Sequence, residues 1–152
     1  MNWWKPLPLL GKLVILVIAL FLGMQLIPYG RAHKNPLVTA EPEWHSPRIR
    51  KLFMRACADC HSNQTTWPWY AGIAPVSWLI TRDVNHGREH FNISEWNLDR
   101  KQDGDKAAET LRNGEMPIWL YVPFHPEAKL SEAEKQELIE GLVIMFGDGE
   151  QN

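Results

Sequence analysis

Cysteine is scarce in this chain: of 152 residues only Cys57 and Cys60 are cysteine. One pair three positions apart cannot supply a disulfide framework for a whole domain, so the fold must be held by other means. Basic runs are missing as well. Lys and Arg total 16 against 18 Asp and Glu, a formal net charge of −2. With no Lys/Arg-rich stripe, nucleic acid is not an expected partner. No stretch alternates apolar and polar residues for long enough to suggest a sheet, and repeats and low-complexity tracts are absent. Tryptophan, by contrast, is abundant. Eight residues of this type add large apolar surface to a small core.

The N-terminus carries the one long apolar run. Leu13 to Leu22 is unbroken, and Gly23 to Ile27 extends it weakly. Counted from Leu7, with Lys12 as a snorkelling residue, the stretch reaches Ile27 and is 21 residues long. A membrane-spanning helix needs roughly 20. The strict run also fits the apolar region of a cleaved signal peptide, with Gly30 and Ala32 as a weak small-residue pair. An uncleaved anchor is favoured, because Trp3, Trp4 and Tyr29 resemble an aromatic belt. Lys5 and Lys12 face Arg31 and Lys34, so charge does not set the orientation. A buried core helix is disfavoured, since the apolar residues run all around it.

Residues 1–28 therefore read as a signal anchor and 29–43 as a linker. The linker carries Pro36 and Pro42, follows Pro28, and has no sustained period. A globular domain follows over 44–152, its core running from Trp44 to Phe146, which is 103 residues and enough for one core. Ser46 as N-cap and Pro47 at the first helical position open a helix. Its apolar stripe is Ile49, Leu52, Phe53, Ala56 and Cys57, at helical spacing. A second helix is expected from Pro75, with Val76, Leu79, Ile80 and Val84 on one face and Gly87 at its end. A third fits Asp105 to Asn113, stopped by Gly114 and Pro117. Ser131 and Glu134 form a capping box for the last helix, whose apolar face runs from Leu138 to Phe146. The expected class is all-α, with long Trp-rich loops.

Cys57-Ala58-Asp59-Cys60-His61 is a C-x-x-C-H haem attachment motif. Two thiols three residues apart on a helical turn can reach two vinyl groups on one porphyrin edge. His61 then lies under the ring and offers its imidazole to iron. Covalent attachment also suits a domain too small to enclose haem fully. Two other chemistries use such a pair. A redox disulfide wants a βαβ context, which is absent here. A zinc site wants further ligands, and His86 and His90, at i and i+4, are candidates.

The motif continues as Ser62-Asn63, followed by Thr66-Trp67-Pro68-Trp69-Tyr70, Ala74-Pro75-Val76-Ser77-Trp78 and Gly87-Arg88. Phe91-Asn92-Ile93-Ser94-Glu95-Trp96, Met116-Pro117 and His125-Pro126 come next. In combination these segments resemble the small bacterial haem-binding domain family, cytochrome c-like proteins that usually carry an N-terminal anchor. The resemblance covers most of the globular region. It implies one covalently bound haem c, with its iron, and defines activity poorly.

Met116 is the candidate for the second axial position. Met116-Pro117 in a loop before the last helix is similar to the distal loop of cytochromes c, and Pro117 restricts Met116 to extended backbone. A Met/His pair raises the reduction potential, as an electron carrier requires. His125 is the alternative ligand. His33, His45, His86 and His90 read as surface residues. Trp67, Trp69, Tyr70, Trp78 and Trp119 are expected to wall the haem or fill the core, and Arg82 or Arg88 to pair with propionates. The expected function is one-electron transfer with unidentified redox partner proteins. The chain would be a single-pass protein of the bacterial cytoplasmic membrane, with its domain in the periplasm or outside, and not an enzyme. The alternative is a haem sensor or peroxidase-like enzyme with an open distal site, where His125, Arg112 and Glu115 are the nearest polar groups.

Overall fold

A computed structural model describes residues 8–100 and 102–149. Among these residues there are six α-helices and no strand; one isolated parallel bridge joins Ala40 to Glu95. The all-α expectation holds. The chain divides into two compact units, one of residues 1–33 and 68–82, the other of 34–67 and 83–152.

The first unit contains α1 (Leu9–Met24), a 16-residue helix with no buried residue. It is shorter than the 21-residue run that suggested an anchor. Among the described residues no helix is long and apolar enough to cross a membrane. Pro8 stands at the N-cap. At the other end, just past Met24, the Gln25 side chain donates to the Ala74 carbonyl at 2.9 Å and accepts from the Ala74 amide at 3.1 Å. Pro28 then disfavours helical backbone at Ile27. Leu7, with Trp3, Trp4 and Lys5, lies outside the described residues.

In the second unit the expected helices form. In α2 (Pro47–Ala56) the Ser46 hydroxyl accepts from the Ile49 amide, and Ile49, Leu52, Phe53 and Ala56 are buried. The capping box of Ser131 and Glu134 opens α6 (Glu132–Phe146). Arg55 of α2 reaches the Glu134 carboxylate at 2.7 Å, and that pairing, with the Ser131 amide, holds the carboxyl down at about 2. Helix α5 (Ala107–Arg112) follows a short 3-10 turn at Gly104–Lys106, and Gly114, at φ +74°, carries the chain out of it. Helices α2, α5 and α6 pack around Leu52, Phe53, Leu111, Leu138 and Leu142. Phe91 sets its ring edge-on to Phe53 at 5.8 Å and to Phe146 at 5.4 Å. Burying each such side chain contributes roughly 1.5–3 kcal/mol.

The approach of α2 to α6 depends on Gly141. A Cβ there would stand 2.7 Å from both Cγ1 and Cδ1 of buried Ile49. Gly141→Ala gains about 1 kcal/mol of helix propensity against roughly 1–3 kcal/mol of overpacking. The expected net result is a lower melting temperature, partly recovered in the Gly141→Ala, Ile49→Val double variant. Additive effects of the two substitutions in thermal melts would remove this account.

Helix α4 (Val76–His90) runs past Gly87, which was expected to end it. Gly87 serves close approach instead. A Cβ on it would lie 2.4 Å from the Cys60 carbonyl oxygen.

Candidate cofactor site

Cys57 is both the C-cap of α2 and the residue before α3 (Ala58–His61). Its amide still donates to the Phe53 carbonyl at 2.8 Å, while its own carbonyl accepts from the His61 amide at 3.0 Å. The short turn thus continues from the end of a well-anchored helix, which fixes where Cys60 and His61 stand.

Behind this turn lies a buried polar network that periodicity does not reveal. The Asn63 side chain donates to the Leu37 carbonyl and to Glu95, and accepts from Asn92 at 2.8 Å. Asn92 in turn accepts from the Ser94 amide, and the Ser94 hydroxyl accepts from the Asn63 amide. Buried polar groups satisfied this fully fix one backbone arrangement. That arrangement brings the Phe91 carbonyl 2.9 Å from His61 Nδ1. A carbonyl only accepts, so Nδ1 carries the proton and Nε2 keeps its lone pair. Burial pushes the His61 pKa down, against hydrogen bonding to the Phe91 and Gly87 backbone and with help from His86 and His90, and this favours the neutral imidazole.

Cys57, Cys60 and His61 border one cavity of about 380 Å³, and so does Met116. This is within the ~300–1,000 Å³ of small-molecule and cofactor cavities. Its apolar wall includes Phe53, Ala56, Ala107, Leu111, Ile118 and Leu142. Both cysteines are free thiols. Burial first, then Cys60, pushes the Cys57 thiol up to about 12; for Cys60 burial is joined by Asp59 and Asp83, with the same result. Redox C-x-x-C pairs have lowered thiol pKa values, the opposite direction. Among the described residues no three His, Cys, Asp or Glu side chains come together as a metal-binding group, so the zinc alternative finds no ligand set. Two thiols, an oriented imidazole and a thioether around an apolar space fit haem.

His86 and His90 are exposed, as expected, yet they also line this cavity, their rings 4.4 Å apart. His125 is not part of the lining: its ring stacks on Tyr121 at 3.9 Å and its Nδ1 donates to the Tyr121 carbonyl. The Trp expectation needs correction. Trp69 and Trp119 are exposed, and Trp67, Tyr70 and Trp78 are half-buried. The aromatic lining of the cavity is Phe53, Phe91 and Tyr121. Arg88 is also occupied elsewhere. It donates to the Ser62 and Lys34 carbonyls, Asn35 and Thr65, and so pins the strand-like segment that starts the unit. Arg82, Arg112 and Glu115 are exposed.

Fold and site together define a small helical cofactor-binding domain with an attachment motif on the cavity wall. The chain belongs to the haem-binding domain family, whose model matches residues 19–143. No curated protein and no solved structure matches it.

Proposed function

We propose that this haem-binding domain is of the c type, with haem attached to Cys57 and Cys60 and its iron held by His61 and Met116, and that it transfers single electrons. The observation that carries the reading is that both thiols, His61 and Met116 border one apolar cavity. Each thiol adds across one vinyl double bond, sulfur to one carbon and hydrogen to the other; nothing is oxidised and nothing leaves. Such addition needs free thiols, and both cysteines are free. His61 presents Nε2 because Nδ1 donates to Phe91, a support that raises ligand basicity. Met116 offers a neutral thioether, and a Met/His pair raises the reduction potential. His125 is less suited, being engaged with Tyr121 and away from the lining. Bound haem iron supplies a one-electron couple that these residues hold in place.

In this reading α1 attaches the chain to the outer face of the bacterial cytoplasmic membrane, with the domain in the periplasm near redox partners. Support comes from a helix that is apolar all round with no buried residue. Its 16 residues span about 24 Å, short of a hydrocarbon core of ~30 Å. Attachment therefore draws on flanking Leu26 and Ile27 or on local bilayer thinning.

Visible spectra of the full chain, made with c-type maturation, test the reading. Expected are a c-type reduced spectrum, the weak long-wavelength band of a Met–iron bond when oxidised, and indifference to carbon monoxide. Met116→Ala should lose that band and bind carbon monoxide at once. Immediate binding by the unaltered chain would instead favour the sensor or peroxidase alternative. No attached haem would overturn the proposal.

A further inference from the structure

Asp59 lies between the two cysteines, and both of its carboxylate oxygens are in use. Oδ1 accepts from the Thr66 amide at 2.8 Å and Oδ2 from the Tyr121 hydroxyl at 2.6 Å. The Asp59 carbonyl accepts from the Thr65 hydroxyl at 2.6 Å. The carboxylate is thus rigidly presented on the attachment turn. Tyr121 comes from the segment that carries Met116, five positions further on, and both residues border the same cavity.

At its start the segment is tied to α5, the Glu115 and Met116 amides donating to the Thr110 carbonyl at 3.0 and 3.3 Å; beyond that point it buries little. No residue from 112 to 127 is buried, and Met116, Trp119 and Phe124 are 37%, 79% and 67% exposed. A segment without buried anchors opens at low free energy. Tyr121 is half-buried, like Pro117, Ile118, Val122 and His125, but it also makes a short charge-assisted bond and is itself oriented. Its amide donates to the Ile118 carbonyl at 2.9 Å, and His125 stacks on its ring with planes 12° apart.

We infer that Tyr121 is a positioning residue whose bond to Asp59 clamps the Met116 segment onto the attachment turn, keeping the Met116 sulfur at the cavity and small ligands out. The inference rests on the proposed role of Met116 toward haem iron. The clamp works through one tie: Tyr121→Phe keeps the ring but removes the hydroxyl that bonds Asp59, so the segment is free to move away from the turn. Asp59 and Tyr121 are 62 positions apart, so the bond closes the cavity at two points that are distant in sequence.

Tyr121→Phe in the haem-loaded full chain tests this with two readouts. One is the carbon monoxide binding rate of the reduced protein, read with the oxidised Met–iron band. The other is hydrogen exchange of residues 113–125. The variant should keep its covalent haem. It should bind carbon monoxide about tenfold faster or more, the change expected on losing one charge-assisted hydrogen bond. Its Met–iron band should weaken, and exchange should rise in 113–125 while α6 stays unchanged. A variant that matches the unaltered chain in both readouts would overturn the clamp. Faster exchange with an unchanged carbon monoxide rate would also overturn it, since the tie would then be structural and not position Met116. The unaltered chain separates the two levels: if it lacks the Met–iron band, the role of Met116 fails; if it shows the band and Tyr121→Phe leaves it intact, the clamp alone fails.

Discussion

Replacing both Cys57 and Cys60 with serine should convert a haem that stays with the denatured chain into one that is fully extracted. The expectation follows from what each bond type survives. In the proposed arrangement, axial ligation by His61 and Met116 would depend on the folded cavity and end when the chain unfolds, whereas thioethers would survive. Serine keeps nearly the side-chain shape, so the cavity wall of Phe53, Leu111 and Leu142 remains able to receive haem from solution. The cost is two hydroxyls in an apolar surround, roughly 1–3 kcal/mol each if unbonded. The double variant should therefore fold, bind haem reversibly, and release it under acid and organic solvent. Either single variant should retain haem through one thioether, with its reduced band displaced from that of the unaltered chain. Retention of haem by the double variant would show that attachment runs through other residues. This measurement is independent of Met116, so it separates covalent attachment from electron transfer.

Several parts of this arrangement are legible in the sequence because they obey local rules. Ser46-Pro47 and Ser131 with Glu134 cap helices through contacts three residues away, and both caps form. The stripe of Ile49, Leu52, Phe53 and Ala56 follows helical spacing, and its residues are buried. The C-x-x-C-H run is local too, and its Cys57, Cys60 and His61 border one cavity. Met116 was read from its place in a loop before the last helix, and it borders the same cavity as His61. The rest depends on distant partners. Nothing near Asp59 announces Tyr121, and nothing near His61 announces the Phe91 carbonyl, which is placed by Asn63, Asn92 and Ser94. Arg88 looks like a propionate partner by charge alone, but backbone carbonyls and polar groups near residues 34, 62 and 65 claim it. Trp119 looks like core by size, yet it stands exposed on a segment that packs little. At α1 the apolar run is longer than the helix, which ends at Met24, where the next residue, Gln25, bonds the Ala74 backbone 49 positions away.

Gly87 shows the same contrast, and its substitution is the second large expected effect. By local rules a glycine inside a helix is a weakness of about 1 kcal/mol relative to alanine, or else a stop signal. Helix α4 does not stop there, so a substitution to alanine would stabilise an isolated helix. In the folded domain the added Cβ would sit 2.4 Å from the Cys60 carbonyl oxygen and 3.0 Å from its carbonyl carbon and Cβ. Backbone atoms cannot rotate away as a side-chain end can. Cys60 is also held within the turn, its amide donating to the Cys57 carbonyl at 3.2 Å, and the turn is fixed from behind by the Ile93 amide on the His61 carbonyl at 3.0 Å. The helix or the attachment turn must therefore shift as a body. Overpacking of this kind costs up to roughly 3 kcal/mol, leaving a net loss of up to about 2 kcal/mol after the propensity gain. For a domain of this size that lowers the melting temperature by up to roughly 8–16 °C. The yield of attached haem should fall with it, because the displaced residue is one of the two thiols. Gly23→Ala is the matched control: it lies in α1 with nothing within 4 Å of its added Cβ, and should leave haem content unchanged and not lower the melting temperature. If Gly87→Ala melts like the control and carries full haem, α4 does not meet the attachment turn as closely as these distances require.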